Sequence, residues 1–348
     1  MSNKTLLTLS KNMLYNVNIV DAMAVLSPVK TGAKIHLLYE ITRTTHMNDL
    51  ISRLETLKSE RDAVVLAHYY VDGSVQDAAD YVGDSYYLST IAKNSPHQTI
   101  LFCGVKFMAE SAKILSPEKT VVMPDTMADC PMAHMVSPEY VNNIRESYSD
   151  LTVVCYINST TEIKAVSDVC VTSSNAKKII SATSTKNILF IPDRNLGSYL
   201  QGFFPEKNFI LPKGCCPVHS DLTTEDLLSI KQNDPETLVL THPECEPEIV
   251  GLSDFVGSTS EIIDFPAHSK ANNYIIYTEH GVAHILKQKY PDKTFLFPSP
   301  IPVCKDMKLI TLEKAVRSLE TMASPIEVPE SLRKAAQQAL IRMHELAG

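Results

Sequence analysis

The sequence predicts an α/β protein made of three repeated three-layer αβα units, each with a short parallel sheet, set around a pseudo-threefold axis. Three observations predict this fold. Landmarks recur about every 87 residues, short apolar runs are continuous rather than alternating, and helical patterns separate those runs.

The first strand of each unit is read from VVLAHYY at 64–70, TVVCYIN at 152–158 and TLVLTHPE at 237–244. A second set, ILF at 100–102, ILF at 188–190 and IIY at 275–277, recurs at offsets of 88 and 87. A third set opens on lysine and closes on proline: KTVVMP from Lys119, KNFILP from Lys207 and KTFLFP from Lys293. Runs rich in Val, Ile and Phe without alternation are expected when both faces of a parallel sheet are covered. Between them lie the helical patterns DSYYLSTIAKN, KFMAESAKIL, SNAKKIISAT and GVAHILKQKY. Each unit therefore reads strand, helix, strand, helix, strand, with βαβ crossovers. The expected organisation is an N-terminal extension and lead-in helix at 1–48, with a helical run from Met47. Repeats follow at 49–131, 132–217 and 218–305, and C-terminal helices at 306–348.

Composition narrows the class. With 348 residues and 44% apolar content the chain can bury several small cores. A net charge of −8 argues against broad contact with nucleic acid or an anionic membrane surface. No apolar run approaches the roughly 18 residues that span a bilayer, and the N-terminus lacks the apolar centre and cleavage site of a signal peptide. Eight cysteines without a signal peptide fit a reducing, cytoplasmic setting in which thiols serve cores, metals or catalysis.

The first strands end in polar pairs: His68/Tyr70, Tyr156/Asn158 and His242/Glu244. A single such pair marks where a buried strand reaches water. Three at equivalent positions, beyond the carboxyl ends of parallel strands, point to a ligand site. A second series opens helices: Ser85, Ser173 and Ser258, the last followed by Thr259. A hydroxyl there is ordinarily an N-cap, yet helix N-termini also favour anions. No lysine or arginine recurs beside these hydroxyls, so helix ends and His68, His219 and His242 are expected to supply the positive field.

Cys130, Cys216 and Cys304 each follow the third strand, at offsets of 86 and 88. Packed around a threefold axis they would meet. Three thiolates suit zinc, with His219 of CPVH as fourth ligand, or three irons of a [4Fe–4S] cluster whose fourth iron stays open as a Lewis acid. Spacing leaves both open, although the lack of a CxxC makes a closed structural zinc site less fitting. Cys103, Cys155 and Cys170 lie in apolar runs and read as core, while Cys215 and Cys245 have no counterparts in the other units.

AHYY at 67–70, GDS at 83–85, GVKFMAESAKILSPEKTVVMPD at 104–125, TSSNA at 172–176, PDRNLG at 192–197, CPVH at 216–219, HPEC at 242–245 and GST at 257–259 closely resemble the quinolinate synthase family. The resemblance runs from about Met47 to the C-terminal helices. It implies the triplicated α/β architecture and a transferase that condenses iminoaspartate with dihydroxyacetone phosphate to quinolinate, phosphate and water in de novo NAD biosynthesis. It also implies a functional link to an iminoaspartate-producing enzyme, and one [4Fe–4S] cluster per chain on Cys130, Cys216 and Cys304. Glu244 is then the main general base or acid, with Tyr70. His68, Ser85 and His242 orient the dicarboxylate, and Ser173, Thr259 and Asn158 hold the phosphate-bearing partner. Tyr156, His219 and Ser258 complete the expected pocket. The sequence departs from some members in lacking a CxxCxxC near Cys304, so no accessory disulfide is expected there. Of the adjacent Cys215 and Cys216, the second is taken as ligand because it begins CPVH. Other three-repeat, three-cysteine cluster enzymes, the isoprenoid-pathway diphosphate reductase and the diphthamide-forming enzymes, share the plan but not these motifs. A zinc-stabilised small-molecule-binding protein is the non-catalytic alternative.

Overall fold

Among the described residues, short strands pair only in parallel, forming three sheets of four strands. The computed structural model describes residues 31–348, with side chains from residue 42 onward; most of the expected N-terminal extension lies outside the described residues. The chain divides after Leu57, and the larger part, Lys58–Gly348, contains all three sheets. A helix over Thr31–Arg61 leads into the first strand and runs through Met47 rather than starting there.

The first sheet holds β1 (Ala63–His68), β2 (Tyr81–Gly83), β3 (Thr99–Cys103) and β4 (Thr120–Val122), in the order β2-β1-β3-β4. The second holds β5 (Leu151–Tyr156), β6 (Val169–Val171), β7 (Asn187–Ile191) and β8 (Asn208–Ile210), in the order β6-β5-β7-β8. The third holds β9 (Leu238–Thr241), β10 (Phe255–Val256), β11 (Asn273–Tyr277) and β12 (Thr294–Leu296), in the order β10-β9-β11-β12. Register repeats too: Val65 faces Leu101, Val153 faces Leu189 and Val239 faces Ile275. From the sequence, three strands per unit are expected. The added edge strands β2, β6 and β10 have two or three residues, as short as β4, β8 and β12 but without the lysine and proline that frame those.

Every residue of β1 and β3 is buried. Each buried Val, Leu or Ile contributes about 1.5–3 kcal/mol, which is why these strands carry no polar alternation. Polar residues at the same period lock the strands to their surroundings. Asp80, Asp168 and Asp254 accept the backbone N–H of Val65, Val153 and Val239 at 2.8, 2.7 and 2.8 Å. Each is paired with a cation: Lys58, Arg145 and Lys231 at 2.6, 2.9 and 2.7 Å. The recurring lysines have a separate task. Lys207 Nζ donates to the carbonyls of Thr183 and Thr185, and Lys293 Nζ to those of Pro266, Ser269 and Ala271. Lys119 Nζ does the same at Ser95. Each lysine thus satisfies carbonyls left over past a helix end, where the helix ladder supplies no partner.

Helix Glu330–Ala347 packs on the helices Thr161–Ala165 and Lys106–Leu115 and on β6, joining the first two units. Its buried Ala336, Ala339, Leu340 and Met343 follow the i, i+3, i+4, i+7 stripe that the sequence shows. Among the described residues no helix is long and apolar enough to cross a membrane.

Candidate active site

The three cysteine-bearing segments are tied down in the same way. Lys106, Arg194 and His280 each donate a backbone N–H to the residue two before a cysteine: Ala128, Gly214 and Pro302, at 2.9, 2.7 and 2.8 Å. Cys130, Cys216 and Cys304 consequently line one cavity, together with residues from all three first-strand ends. Cys215 and Cys245 are not among the lining residues, and Cys103, Cys155 and Cys170 are fully buried in strands.

Of the other candidates, His68, Tyr70, Ser85, Tyr156, Asn158, Ser173, His219, His242, Glu244 and Thr259 also line this cavity. Ser258 is absent from the lining. Its hydroxyl accepts the Glu261 N–H while Glu261 Oε2 accepts the Ser258 N–H at 2.7 Å, a capping box that opens helix Thr259–His268. Ser85 is the first residue of its helix, capped by Asp84, and Ser173 precedes the cap Asn175 by two. The strand-end pairs converge by a turn rather than by strand alternation. In the first unit His68 Nδ1 accepts the Tyr70 N–H at 3.2 Å, and in the third His242 Nδ1 accepts the Glu244 N–H at 3.3 Å.

Glu244 is the hub. Tyr156 donates its hydroxyl to Oε1 at 2.6 Å, and His219 Nδ1 lies 2.8 Å from Oε2. The rings of His219 and His242 stack with centroids 4.9 Å apart. Burial alone would push this carboxyl up, but His242 and His219, with hydrogen bonds from His219 and Tyr156, outweigh it and hold Glu244 down at about 2. An ionised carboxylate only accepts, so in the neutral ring His219 carries its proton on Nδ1 and accepts through Nε2. The Nε2 partner is the Thr278 hydroxyl at 2.9 Å. Thr278 in turn meets the Tyr70 hydroxyl at 2.9 Å, and Tyr70 meets Thr259 at 2.9 Å. With each hydroxyl donating once, a continuous chain runs Thr259, Tyr70, Thr278, His219, Glu244.

Thr278, Glu279 and Asp193 are not among the site residues expected from the sequence. Thr278 is a lone hydroxyl directly after β11, without a counterpart to mark it. The two acids did carry a signal, since each lies two residues past the end of its unit's β7 or β11 strand.

The expected positive field is not supplied by His68 and His242. Burial pushes them down to about 3 and about 4, so both are neutral near pH 7. The lining includes no lysine or arginine. Because the folded values lie below the unfolded value of about 6.5, stability is fully present above pH 6.5 and falls as the pH drops toward 4 and 3. We expect up to about 2 kcal/mol lost per ring at pH 5, seen as a lower thermal midpoint than at pH 7. A His68→Gln chain that lost as much stability as wild type would contradict this.

Burial also pushes the thiols of Cys130, Cys216 and Cys304 up, the last to about 11. Each thiol therefore stays protonated unless a cation is present, and metal binding is what ionises a buried thiol. Three convergent thiols without a lysine or arginine partner fit a thiophilic metal group.

The profile of one family, described as Quinolinate synthetase A protein, matches residues 52–345. Quinolinate synthase from Clostridium perfringens (strain 13 / Type A) is 50% identical over 300 residues, covering 86% of this chain and 100% of that protein. Quinolinate synthase from Fusobacterium nucleatum is 49% identical over 296 residues, covering 85% and 99%. The one from Clostridioides difficile (strain 630) is 46% identical over 299 residues, covering 86% and 98%. With a family profile spanning most of the chain and half the residues shared with near full-length relatives, this chain belongs to the quinolinate synthetase A family.

Proposed function

We propose that the chain is a quinolinate synthase of de novo NAD biosynthesis, a transferase joining iminoaspartate to dihydroxyacetone phosphate with loss of phosphate and two waters. The observation that carries this reading is that three half-buried thiols from three units line the same cavity as a connected acid–base chain. Cys130, Cys216 and Cys304 would hold one [4Fe–4S] cluster per chain, leaving one iron without a protein ligand. When bound, the cluster supplies a Lewis acid that polarises a substrate oxygen or nitrogen.

The chain's own residues supply the proton transfers. Closing a pyridine ring needs protons taken from carbons beside a carbonyl or imine, and given to departing hydroxyls. Ionised Glu244 fixes the His219 tautomer and offsets positive charge that develops on the ring, as the acidic member of a hydrolase triad does. His219 Nε2 can take a proton passed through Thr278 from Tyr70, which lines the cavity. The Asn158 Oδ1 is buried without a hydrogen-bond partner among the described residues, which suits a substrate donor. Ser85, Ser173 and Thr259, near helix starts, can donate to carboxylate or phosphate oxygens without a basic side chain.

One observation favours a zinc site: donor atoms of Cys216, His219 and Glu244 all lie within 4.8 Å of one another. Yet both His219 nitrogens and both Glu244 oxygens already have partners, and zinc there would leave Cys130 and Cys304 unused. Anaerobically purified protein decides: about four irons and four sulfides per chain support the cluster, whereas one zinc and no sulfide overturn it. The activity itself is tested by quinolinate formation from the two substrates under anaerobic conditions, lost on exposure to oxygen. Absence of quinolinate with a full cluster overturns the function.

The hydroxyl chain has its own test. Thr278→Val keeps the shape and removes the link between Tyr70 and His219. It is expected to lower kcat about tenfold or more with little change in KM, and an unchanged kcat would remove Thr278 from the chemistry.

A further inference from the structure

The shared backbone tie of the three cysteine segments defines equivalent positions. Because Lys106, Arg194 and His280 match, so do the residues just before them: Val105, Asp193 and Glu279. Each lies two residues past the end of its unit's strand, β3, β7 or β11. In two units this residue is a fully buried acid, and in the first it is a valine.

Both acids reach the cysteine itself. Asp193 Oδ2 accepts the Cys216 N–H at 3.1 Å, while Oδ1 accepts the Leu196 N–H at 2.7 Å and so also caps helix Arg194–Gln201. Glu279 Oε1 accepts the Cys304 N–H at 3.1 Å and pairs with Lys308 Nζ at 3.1 Å, and Oε2 accepts the Gly281 N–H at 2.6 Å. Gly281 is tight against this carboxylate: a Cβ there would lie 2.7 Å from Glu279 Oε2 and 2.5 Å from the Tyr69 carbonyl. In the first unit Val105 cannot accept, and the Cys130 N–H is taken by the neighbouring Asp129 Oδ1 at 2.8 Å.

We propose that Asp193 and Glu279 are positioning residues for the metal centre, each clamping the backbone of one thiol ligand to the rigid end of a sheet. The proposal rests on the cluster reading above. A carboxylate that accepts the ligand's N–H fixes the direction in which the Cα–Cβ bond presents sulfur, so Cys216 and Cys304 are held ready before metal arrives. It also withdraws that N–H from the sulfur. Cys130, whose N–H goes to its own neighbour rather than to a residue at a sheet end, is the ligand with the freest presentation. Groups of this outer kind typically change metal affinity by about 10- to 100-fold.

The test uses full-length protein reconstituted anaerobically with iron and sulfide, and measures iron release to the ferrous chelator bathophenanthroline. Asp193→Asn and Glu279→Gln keep size and one acceptor oxygen but not the paired acceptance, so folding is little disturbed. Each is expected to release iron about 10- to 100-fold faster than wild type, with an altered electron paramagnetic resonance spectrum of the reduced cluster. Asp168→Ala is the control. It removes a half-buried carboxylate that likewise accepts a backbone N–H in the second unit, at Val153. It should lower the melting temperature and leave iron release at the wild-type rate. Wild-type rates and spectra in Asp193→Asn and Glu279→Gln overturn the proposal, as does equally fast release from Asp168→Ala. A wild-type chain that takes up no iron overturns the cluster reading and this proposal with it.

Discussion

Glu244→Gln is expected to reduce kcat for quinolinate formation by about two to four orders of magnitude, the range for a positioned acid–base group, while iron and sulfide stay at wild-type content. The carboxylate is ionised, buried, and accepts from both Tyr156 and His219. An amide has one acceptor oxygen, so one of these donors would face an NH2 group. With Nδ1 no longer bound to an anion, His219 loses both its fixed tautomer and the charge that stabilises its protonated form. Steady-state kinetics on anaerobic protein, beside iron analysis, separate this effect from loss of the cluster. A Glu244→Gln chain with a full cluster and wild-type turnover would remove Glu244 from the mechanism.

The second large effect is expected at the thiols. Cys130→Ala, Cys216→Ala and Cys304→Ala should each abolish quinolinate formation and reduce bound iron from about four per chain to near zero after desalting. Two remaining thiolates cannot replace the third, because the donors grouped with Cys216, His219 and Glu244, are held by one another. Cys215→Ala and Cys245→Ala should keep cluster and activity, since neither side chain lines the cavity. The adjacent pair makes this a sharp comparison. If Cys215→Ala lost iron and Cys216→Ala kept it, the ligand assignment would be reversed.

The repeat was legible because buried parallel strands leave a one-dimensional trace. A strand covered on both faces must be apolar throughout, so VVLAH, TVVCY and LVLT stand out without any structure. Lysines at 119, 207 and 293 recur because each unit leaves the same carbonyls past a helix end without partners. Edge strands β2, β6 and β10 were not legible, being two or three residues long without the lysine–proline frame that marks the equally short β4, β8 and β12.

The sequence by itself determined the three-unit α/β plan, the cysteine of each unit and the polar pairs at the strand ends, since these depend on local pattern and on chain-wide spacing. Only the tertiary structure decided how the side chains connect. That Glu244 is ionised while His68 and His242 are neutral follows from burial and from which neighbours donate, and neither is written along the chain. Thr278 joins Tyr70 to His219 across separations of 208 and 59 residues. Asp193 and Glu279 meet cysteines 23 and 25 residues away because sheet ends return the chain to the same place in each unit. Hydrogen bonding and desolvation act over a few ångströms, and folding alone sets which distant residues come that close.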